Sequence, residues 1–574
     1  MDPEKDLEKS DSESLLPPLD TASPTTHPKE EIETPTRSSS PAPDLDPTER
    51  EAQRTALTKS ISLEKRVSLP REILVVGLIS LAQFTTQVGL GQTLSILHII
   101  GEDFGIEDPG VLSWLIAGYS LTVGTFILFT GRLGDLFGWK RMFVVGFVWF
   151  AVWSMVCGLA AYSNHVLFVF ARVFQGIGPA ICLPNGLALL GGLYQPGPRK
   201  NMAFAIFGAC APGGSIAGSA FAGIFAQLAW WPCKSSISRE HLINQLTLPG
   251  TFWSFAITLL GIAIVSYLTI PDPQDTKPGI KGKPLKESLW VMDVPGAAIG
   301  ITALVLFNFA WNQAPIVGWS QAYVIVTLIL GVLLVPLFFY IELRISPTPI
   351  LPIDVFTASN AFVLACIACG WANFGIWVYY FWQILEQLRG ATPLLASAYL
   401  SPLTLAGIVA AVSTGLLLHK LKPAWVMIGA MAAFLTASIL VATLPPFQIY
   451  WAQIFVCTVI APFGMDMSFP SATIVISDSV KKEHQGVAAS LVNTIVNYSI
   501  SLGLGFAGTI EVHVNNGGRT FGDTLHGYRS ALYMGIGLSG LGLLLAMVFL
   551  GKSYLDEHRE KKRQERERGA DIKA

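Results

Sequence analysis

Residues 111–141, VLSWLIAGYSLTVGTFILFTGRLGDLFGWKR, consist of an uncharged apolar run and a short charged turn. The first twenty residues carry no charge, and the next eleven carry four. A helix of about 20 residues rises about 30 Å, which is the thickness of the hydrocarbon core of a bilayer. The stretch therefore predicts a helix that crosses a membrane and ends in a charged turn at the lipid headgroups.

The composition of the whole chain favours a lipid environment. Of its 574 residues, 51% are hydrophobic and 14% are charged, and the mean hydropathy is +0.51. Soluble domains carry about 25% charged residues. The formal net charge of −2 excludes a nucleic-acid-binding protein, because phosphate binding requires a concentrated basic surface. We expect an integral membrane protein and no enzyme.

Apolar runs of the same length recur along the chain, and fourteen of them predict an all-α membrane protein with fourteen transmembrane helices. Some runs contain Gly or Pro, which membrane helices tolerate when neighbouring helices satisfy the backbone. The predicted spans are residues 73–100, 111–130, 142–162, 166–190, 201–226, 251–270, 294–313, 321–341, 361–382, 393–418, 423–443, 449–473, 485–509 and 530–550.

Positive residues are concentrated in every second loop. Because Lys and Arg near span ends stay in the cytoplasm, both ends of the chain are predicted to be cytoplasmic, as an even number of spans requires. Residues 1–68 are rich in Ser, Thr, Pro and acidic residues and predict a disordered tail, and residues 554–574 form a basic tail. The positive residues of the loops predicted to be cytoplasmic are Arg132, Lys140, Arg141, Arg199, Lys200, Lys277, Lys281, Lys283, Lys286, Arg344, Lys420, Lys422, Lys481 and Lys482.

One polar segment, KSSISREHLINQLTLP at residues 234–249, interrupts the apolar pattern between the fifth and sixth predicted spans. It is either an outer loop or a translated intron. Residues 233–235 can be encoded with the 5′ splice consensus GTAAGT, residues 246–247 with a branch-point sequence, and residues 249–250 with a terminal CAG. Removal of these bases would restore the reading frame. Sequencing of the spliced transcript distinguishes the two interpretations.

The turn GRLGDLFGWKR at residues 131–141 combines backbone freedom with charge. Gly131 and Gly138 permit a tight turn, and Asp135 can cap a helix or pair with a cation. Lys140 and Arg141 can anchor at lipid headgroups. The turn resembles the loop signature of the major facilitator superfamily, G-x-L-a-D-r-x-G-r-k, and the resemblance implies a gating role for it.

Two further motifs resemble signatures of the same superfamily. RVFQGIG at residues 172–178 is similar to the fourth-span motif R-x-x-q-G-x-g, which implies a role for Arg172 in proton coupling. The fifth predicted span resembles the glycine and proline signature of the antiporters, at Gly208, Pro212, Gly213, Gly214 and Gly218. Glycines about four residues apart also let helices approach closely. Simple packing therefore stays an alternative for each glycine.

The fourteen spans narrow the resemblance to the larger drug:proton antiporter family of fungi. Similarity to its branch with aminotriazole-resistance and low-affinity ammonium transporters lies in WNQAP at 311–315, WANFGIW at 371–377, GMDMSFP at 464–470 and HQG at 484–486. The resemblance implies a major facilitator fold, in which two pseudo-symmetric six-helix halves flank two extra helices. We predict the halves at residues 69–270 and 342–553, a cytoplasmic linker at 271–293 and the extra helices at 294–341.

Charged side chains are rare inside the predicted spans, where each costs about 2.5 to 3.5 kcal/mol unless it faces protein or water. Only Arg172 and Asp466 are predicted to lie at depth. A carboxyl group there can bind and release a proton as its surroundings change. Asp466 is therefore the candidate proton site together with Arg172. The alternative is a structural hydrogen bond near Phe469 and Pro470.

Uncharged polar residues at helical spacing, interleaved with aromatic residues, predict the lining of a substrate cavity. Such a lining suits an amphipathic or cationic organic ligand. The alternative for any single amide is a hydrogen bond between helices, worth about 0.6 kcal/mol. The candidates are Gln83, Gln87, Asn185, Asn312, Gln313, Asn373, Trp377, Tyr380, Asn493 and Asn497.

The energy source is predicted to be an ion gradient. Residues 551–553, GKS, do not form a nucleotide-binding loop, because Ala546 replaces its first glycine. Without such a loop, transport uses an ion gradient or runs downhill. The sequence predicts no cofactor and no metal site. The expected partners are a small-molecule substrate, protons and the lipid bilayer, and the chain is expected to be a monomer.

Three hypotheses for function follow. The first is proton-coupled efflux of a drug, toxin or secondary metabolite across the plasma membrane. The second is transport of a small inorganic species such as ammonium or borate. The third is a membrane sensor that keeps the fold without transporting. Asp135 and Arg172 argue against the sensor, because a protein that does not transport has no need of gating residues.

Overall fold

The computed structural model describes residues 68–106, 108–194, 198–228, 239–271, 290, 292–351, 355, 357–480 and 485–571. The predicted tail before residue 68, most of the predicted linker and the positive residues Lys481 and Lys482 lie outside the described residues. So do residues 234–238 of the polar segment.

The described chain is helical, and fourteen of its helices are long and apolar enough to span a membrane, which confirms the predicted number. The last helix continues beyond the bundle into the basic tail. The helices are α1 (Leu69–Leu94), α2 (Leu97–Phe104), α3 (Pro109–Phe137), α4 (Trp139–Ala160), α5 (His165–Leu193), α6 (Pro198–Leu228), α7 (Arg239–Thr269), α8 (Val294–Val317), α9 (Ala322–Arg344), α10 (Ala358–Gln383, extended by a π-helical turn at Ile384–Leu388), α11 (Pro393–Leu400), α12 (Pro402–Lys420), α13 (Pro423–Ala442), α14 (Ile454–Ser479), α15 (Gln485–Val514) and α16 (Phe521–Asp571).

Local capping explains where α3 begins and ends. Asp108 accepts a 2.8 Å hydrogen bond from the backbone N–H of Gly110, and Pro109 starts the first turn. At the other end Gly138 has φ +101° and donates its N–H to the carbonyl of Gly134. Only glycine adopts this conformation without strain, so Gly138 makes the sharp turn from α3 into α4 possible.

The two halves of the bundle use the same helix pairings. In the first half (α1 and α3 to α7) the first span contacts the fifth, the second and third contact the fourth, and the third contacts the sixth. The same four pairings occur among the spans of the second half (α10 to α16), in which α11 and α12 together form the second span. The predicted pseudo-symmetric fold is therefore confirmed. The exact boundaries of the predicted domains remain a prediction.

The halves meet along two symmetric seams. α3 contacts α15, and α6 contacts α11 and α12, so each seam joins a second span to a fifth span. The extra hairpin of α8 and α9 packs through α8 on α3 and α15, which places it beside one seam. Asn312 of α8 donates a 3.2 Å hydrogen bond to the carbonyl of Ser501 in α15, and Tyr498 donates one of 3.0 Å to Leu304. These bonds attach the hairpin to the seam.

The bundle has two ends that the site description distinguishes. The tail face is the end from which α16 projects, and it includes the α3–α4 turn at Gly138. The far face is the opposite end, with α2 and the α15–α16 turn at residues 515–520. Residues 239–249 of the polar segment form the start of α7, at the far face.

Candidate functional site

Residues 131–137 of the predicted gating turn are the helical end of α3, so the turn itself is at Gly138 and the expectation that Gly131 makes it was wrong. The motif packs tightly at the tail face. A Cβ atom on Gly134 would lie 1.7 Å from Oδ1 of Asn185 in α5, so the turn rests against that amide. A Cβ atom on Gly131 would lie 3.6 Å from Oγ of Ser490 in α15, which belongs to the other half. The turn therefore lies where a movement between the halves would change its contacts.

The charged residues of this turn take separate positions. Asp135 accepts a 2.8 Å hydrogen bond from Nε1 of Trp139, within the turn itself. Nζ of Lys140 lies 5.4 Å from the ring centroid of Tyr267 in α7, a cation–π contact. Arg141 is exposed. These positions agree with a turn at a headgroup surface, and the gating role remains a prediction.

Arg172 is fully buried within the first half and has several acceptors. Nε donates a 3.1 Å hydrogen bond to the carbonyl of Leu115, and Nη2 donates one of 3.0 Å to the carbonyl of Gly89. Nη1 donates to Oε1 of Gln175. The guanidinium also lies 4.5 Å from the ring centroid of Tyr119. The side chain thereby joins α1, α3 and α5.

We expect Arg172→Lys to destabilise the protein although it keeps the charge. One ammonium group cannot reach acceptors on three helices, and each buried acceptor left unpaired costs about 1 to 3 kcal/mol. Thermal unfolding of purified protein measures the loss, and the exposed Arg141→Lys serves as control. Equal unfolding temperatures for the two variants would contradict this structural role.

The glycine and proline motif of α6 has two faces. Cβ atoms on Gly214 and Gly218 would lie 2.3 and 2.5 Å from the backbone carbonyl oxygens of Phe84 and Val88 in α1. These two glycines allow α1 and α6 to touch through their backbones. Gly208 has open space at the same position, so close packing does not explain that glycine.

The other face of the motif lies at the seam with the second half. A Cβ atom on Gly407 of α12 would lie 2.6 Å from Cγ of Pro212 and 3.2 Å from Oδ2 of Asp466. One on Gly213 would lie 3.6 Å from Thr404. The structure thus brings the predicted proton site on α14 next to the proline of the antiporter motif. Sequence separation alone does not show this proximity.

Asp466 has an unusual hydrogen-bonding state. Its Oδ2 atom is buried and has no hydrogen-bond partner among the residues that the structure describes. The donors of Arg172 contact carbonyls and an amide in the first half, and no contact joins Arg172 to Asp466 within the described residues. The two predicted proton-coupling residues therefore lie in separate places.

Several amides predicted to line a cavity instead bond between helices. Asn373 accepts a 2.7 Å hydrogen bond from Ser438 of α13. Gln313 accepts one of 3.2 Å from Nε1 of Trp114 in α3. Asn185 and Asn312 are also buried, and they donate hydrogen bonds to the carbonyls of Thr130 in α3 (3.4 Å) and Ser501 in α15 (3.2 Å). For these four the contacts favour the alternative of interhelical hydrogen bonds.

The other residues predicted to line a cavity differ in their burial and in their hydrogen bonds. Gln83 and Gln87 of α1 are half-buried. Asn493 and Asn497 of α15 donate hydrogen bonds to carbonyls of their own helix, at 3.2 and 3.0 Å. The structure therefore leaves these four as lining candidates. The indole of Trp377 donates to Sγ of Cys457 at 3.3 Å within the second half.

A cavity of about 1060 Å³ lies at the far face, between the two halves. It was not predicted as a site, and its described lining contains none of the predicted lining residues, although Tyr380 bonds to Glu511 of that lining. The hydroxyl of Tyr380 donates a 2.7 Å hydrogen bond to Oε2 of Glu511. The described lining residues that carry charge or an aromatic ring are His98, Glu102, Asp108, Tyr379, Glu511, Arg519, Phe521 and Tyr528.

Arg172 and Asp466 are not the only buried charged residues of the described helices. Glu386 and Glu511 are 7% and 4% exposed, in the π-helical turn after α10 and in the last turn of α15. The predicted spans ended at residues 382 and 509 because the apolar pattern stops there. The helices continue past that point, to Leu388 and Val514.

His98 and Glu386 join the two halves at the far face. Nδ1 of His98, in α2, lies 2.9 Å from Oε2 of Glu386. Burial alone would lower the pKa of His98, but the hydrogen bond and the charge of Glu386, with a smaller effect of Glu102, outweigh burial and raise this pKa. The pair therefore stabilises the contact most when the imidazole is protonated.

We expect the far face to open as the pH rises. With the pKa of His98 raised and Glu386 ionised, the extra stability is present below the ordinary value of about 6.5 and is lost as the pH passes the higher paired value. A charged hydrogen bond of this kind contributes about 1.5 to 3 kcal/mol. Electron paramagnetic resonance distances between spin labels at Ile106 and Leu395 should lengthen with pH. A His98→Gln protein that kept the same pH dependence would contradict this assignment.

The arrangement defines a class of protein: a multi-pass membrane protein with two symmetric halves, two seams and buried polar groups at the seams. The profile of the Major Facilitator Superfamily matches residues 79–504. The chain belongs to this family and is a secondary transporter.

Several relatives are fungal transporters. The chain is 49% identical to the low affinity ammonium transporter of Saccharomyces cerevisiae, over 86% of this chain and 91% of that protein. It is 42% identical to the efflux pump terG of Aspergillus terreus, over 90% and 93% of the two chains. It is 36% identical to the aminotriazole resistance protein of Saccharomyces cerevisiae, over 85% and 86%. These relatives confirm the branch that the sequence motifs indicated.

Among solved structures, a bacterial homologue of the human lysosomal transporter Spinster, inward-facing and unoccupied, matches with a TM-score of 0.56. The match covers 84% of this chain and 99% of that chain at 16% identity. At this identity the likeness supports the fold alone.

Proposed function

We propose that the protein exports small organic compounds across the plasma membrane in exchange for protons, with its tail face in the cytoplasm. The observation that carries the proposal is the position of Asp466. Its Oδ2, which has no hydrogen-bond partner in the described part of the chain, lies at the seam beside Pro212 and Gly407. A carboxyl group at a moving seam can take a proton from one side of the membrane and release it on the other as the halves rock.

The relatives support the same direction of transport. An efflux pump and a resistance protein share 42% and 36% identity with this chain, and the name of the first describes export. The glycines of α6 fit the rocking of one half against the other, because α6 contacts α1 closely within its own half while its proline face meets the second half.

A direct test uses purified protein in vesicles and labelled 3-amino-1,2,4-triazole. With an acidic lumen, exchange should drive accumulation of the label and raise the luminal pH as protons leave. Nigericin, which collapses the pH gradient, should abolish accumulation. The proposal is refuted if nigericin does not change accumulation. It is also refuted if, across a panel of organic compounds, accumulation equals that in protein-free vesicles. Tags on the two ends, accessible only from the cytoplasm, test the orientation.

The second candidate is transport of ammonium, which the 49% identity to a low affinity ammonium transporter favours. Labelled methylammonium is the matching probe. An ammonium transporter should move it down its concentration gradient in the presence of nigericin, whereas a proton-coupled exporter should not.

A further inference from the structure

The far-face cavity carries more negative than positive charge on its described lining. Glu102, Asp108 and Glu511 provide three carboxylates, and Arg519 provides one permanent cation. His98 also lines the cavity, but its imidazole is engaged by Glu386. The charged groups of the lining therefore offer a solute more negative charge and hydrogen-bond acceptors than positive charge and hydrogen-bond donors.

Glu511 is the most deeply placed of these carboxylates. It is 4% exposed and belongs to the cavity lining. Its Oε2 accepts the hydrogen bond from Tyr380, which is neutral. Within the described residues no Lys, Arg or His forms an ion pair with it. Burial of a carboxylate without a counter-charge is costly, so a cation from the cavity would stabilise it.

Aromatic rings complete the surroundings of this carboxylate. Tyr379 and Tyr528 line the cavity, and the rings of Tyr380 and Tyr528 lie 5.5 Å apart. Aromatic faces beside a carboxylate are the chemistry that recognises amines and quaternary cations. A volume of about 1060 Å³ suits an organic molecule, because sites for such ligands measure about 300 to 1,000 Å³. An inorganic ion would leave most of this space unused.

We propose that the far-face cavity binds a monovalent organic cation, with its charge at Glu511 and its apolar groups against Tyr379 and Tyr528. This inference rests on the proposed function for the step at which the site acts. In the exporter, the site holds cationic cargo just before the cargo is released. The His98–Glu386 contact next to it joins the halves that must part for the cargo to leave.

The test uses full-length protein in detergent with tetraphenylphosphonium, a permanent cation, and triphenylphosphine oxide, its neutral analogue. Glu511→Gln keeps an acceptor for the Tyr380 hydroxyl and removes only the charge. We expect this variant to bind tetraphenylphosphonium at least about tenfold more weakly, since loss of a buried charge partner has effects of this size or larger. Binding of the neutral analogue should not change. Asp556→Asn, on the exposed part of α16, is the matched control and should bind both probes as the wild type does.

A second measurement needs no variant. Carbodiimide modifies carboxyl groups, and mass spectrometry reports the modified residue. Saturating tetraphenylphosphonium should slow modification of Glu511 at least about tenfold, as expected for a site that the cation fills, whereas triphenylphosphine oxide should not. Unchanged modification, or wild-type affinity in Glu511→Gln, would overturn the proposal.

The outcomes also separate this inference from the proposed function. If the pH gradient drives aminotriazole export while Glu511 plays no part in cation binding, the cavity proposal fails and the exporter stands. If Glu511 governs cation binding but no gradient-driven transport occurs, the exporter fails and the cation site stands.

Discussion

Asp466→Asn should yield a folded protein that no longer couples transport to a proton gradient. Asparagine matches aspartate in size but cannot release a proton. Because Oδ2 of Asp466 has no partner in the described part of the chain, its replacement by an amide breaks no hydrogen bond to that atom. Gradient-driven accumulation of labelled aminotriazole in vesicles should fall to the level of protein-free vesicles.

Two controls separate loss of coupling from loss of the transporter. Exchange of labelled for unlabelled compound without a pH gradient should persist in Asp466→Asn, since exchange needs no net proton movement. Asp466→Glu retains a carboxyl group and should recover part of the gradient-driven accumulation. Full accumulation by Asp466→Asn would show that the proton travels through another group, and Glu511 would then be the next carboxyl to test.

The number of spans and the turns between them were predictable, because membrane helices depend on local properties. A run of apolar residues long enough to cross the bilayer must form a helix there, since the hydrocarbon offers no partner for free backbone groups. Gly138 shows the same for a turn: its φ of +101° demands glycine whatever surrounds it. Such features depend on the residues themselves and their immediate neighbours.

The buried carboxylates were not predictable, because their burial depends on distant parts of the chain. Glu386 follows the apolar run of α10, and its burial depends on α2, some 290 residues earlier, which brings His98 to it. Likewise, the sequence marks Asn373 as polar within a span but does not show whether it faces a cavity or a neighbour. The hydrogen bond from Ser438 of α13 shows that Asn373 faces a neighbouring helix. Hydropathy can identify the span, but partners on other helices determine what each polar residue does.

The contacts of the glycine and proline motif on α6 depend partly on its local sequence and partly on distant helices. Its spacing predicts close helix contact, and Gly214 and Gly218 make that contact with α1. Pro212 lies at the seam between α6 and α12, next to the residue that we propose as the proton site. α6 therefore contacts α1 within its own half and also contacts the second half at the seam. A change at Asp466 acts directly on α6, and α6 moves as one body with α1.

Gly91→Ala should cause a large loss of stability because it separates these two helices. A Cβ atom at Gly91 of α1 would lie 2.1 Å from the backbone oxygen of Ser215 in α6, which cannot rotate away. Overpacking of this kind costs about 1 to 3 kcal/mol, and more where the backbone must shift. It would also disturb the 3.0 Å hydrogen bond from Ser219 to the carbonyl of Gly91. Gly77→Ala, in the same helix and with open space at its Cβ, is the matched control and should be neutral or stabilising by up to about 1 kcal/mol. Thermal unfolding in detergent compares the two, and equal unfolding temperatures would mean that α1 and α6 do not pack through their backbones.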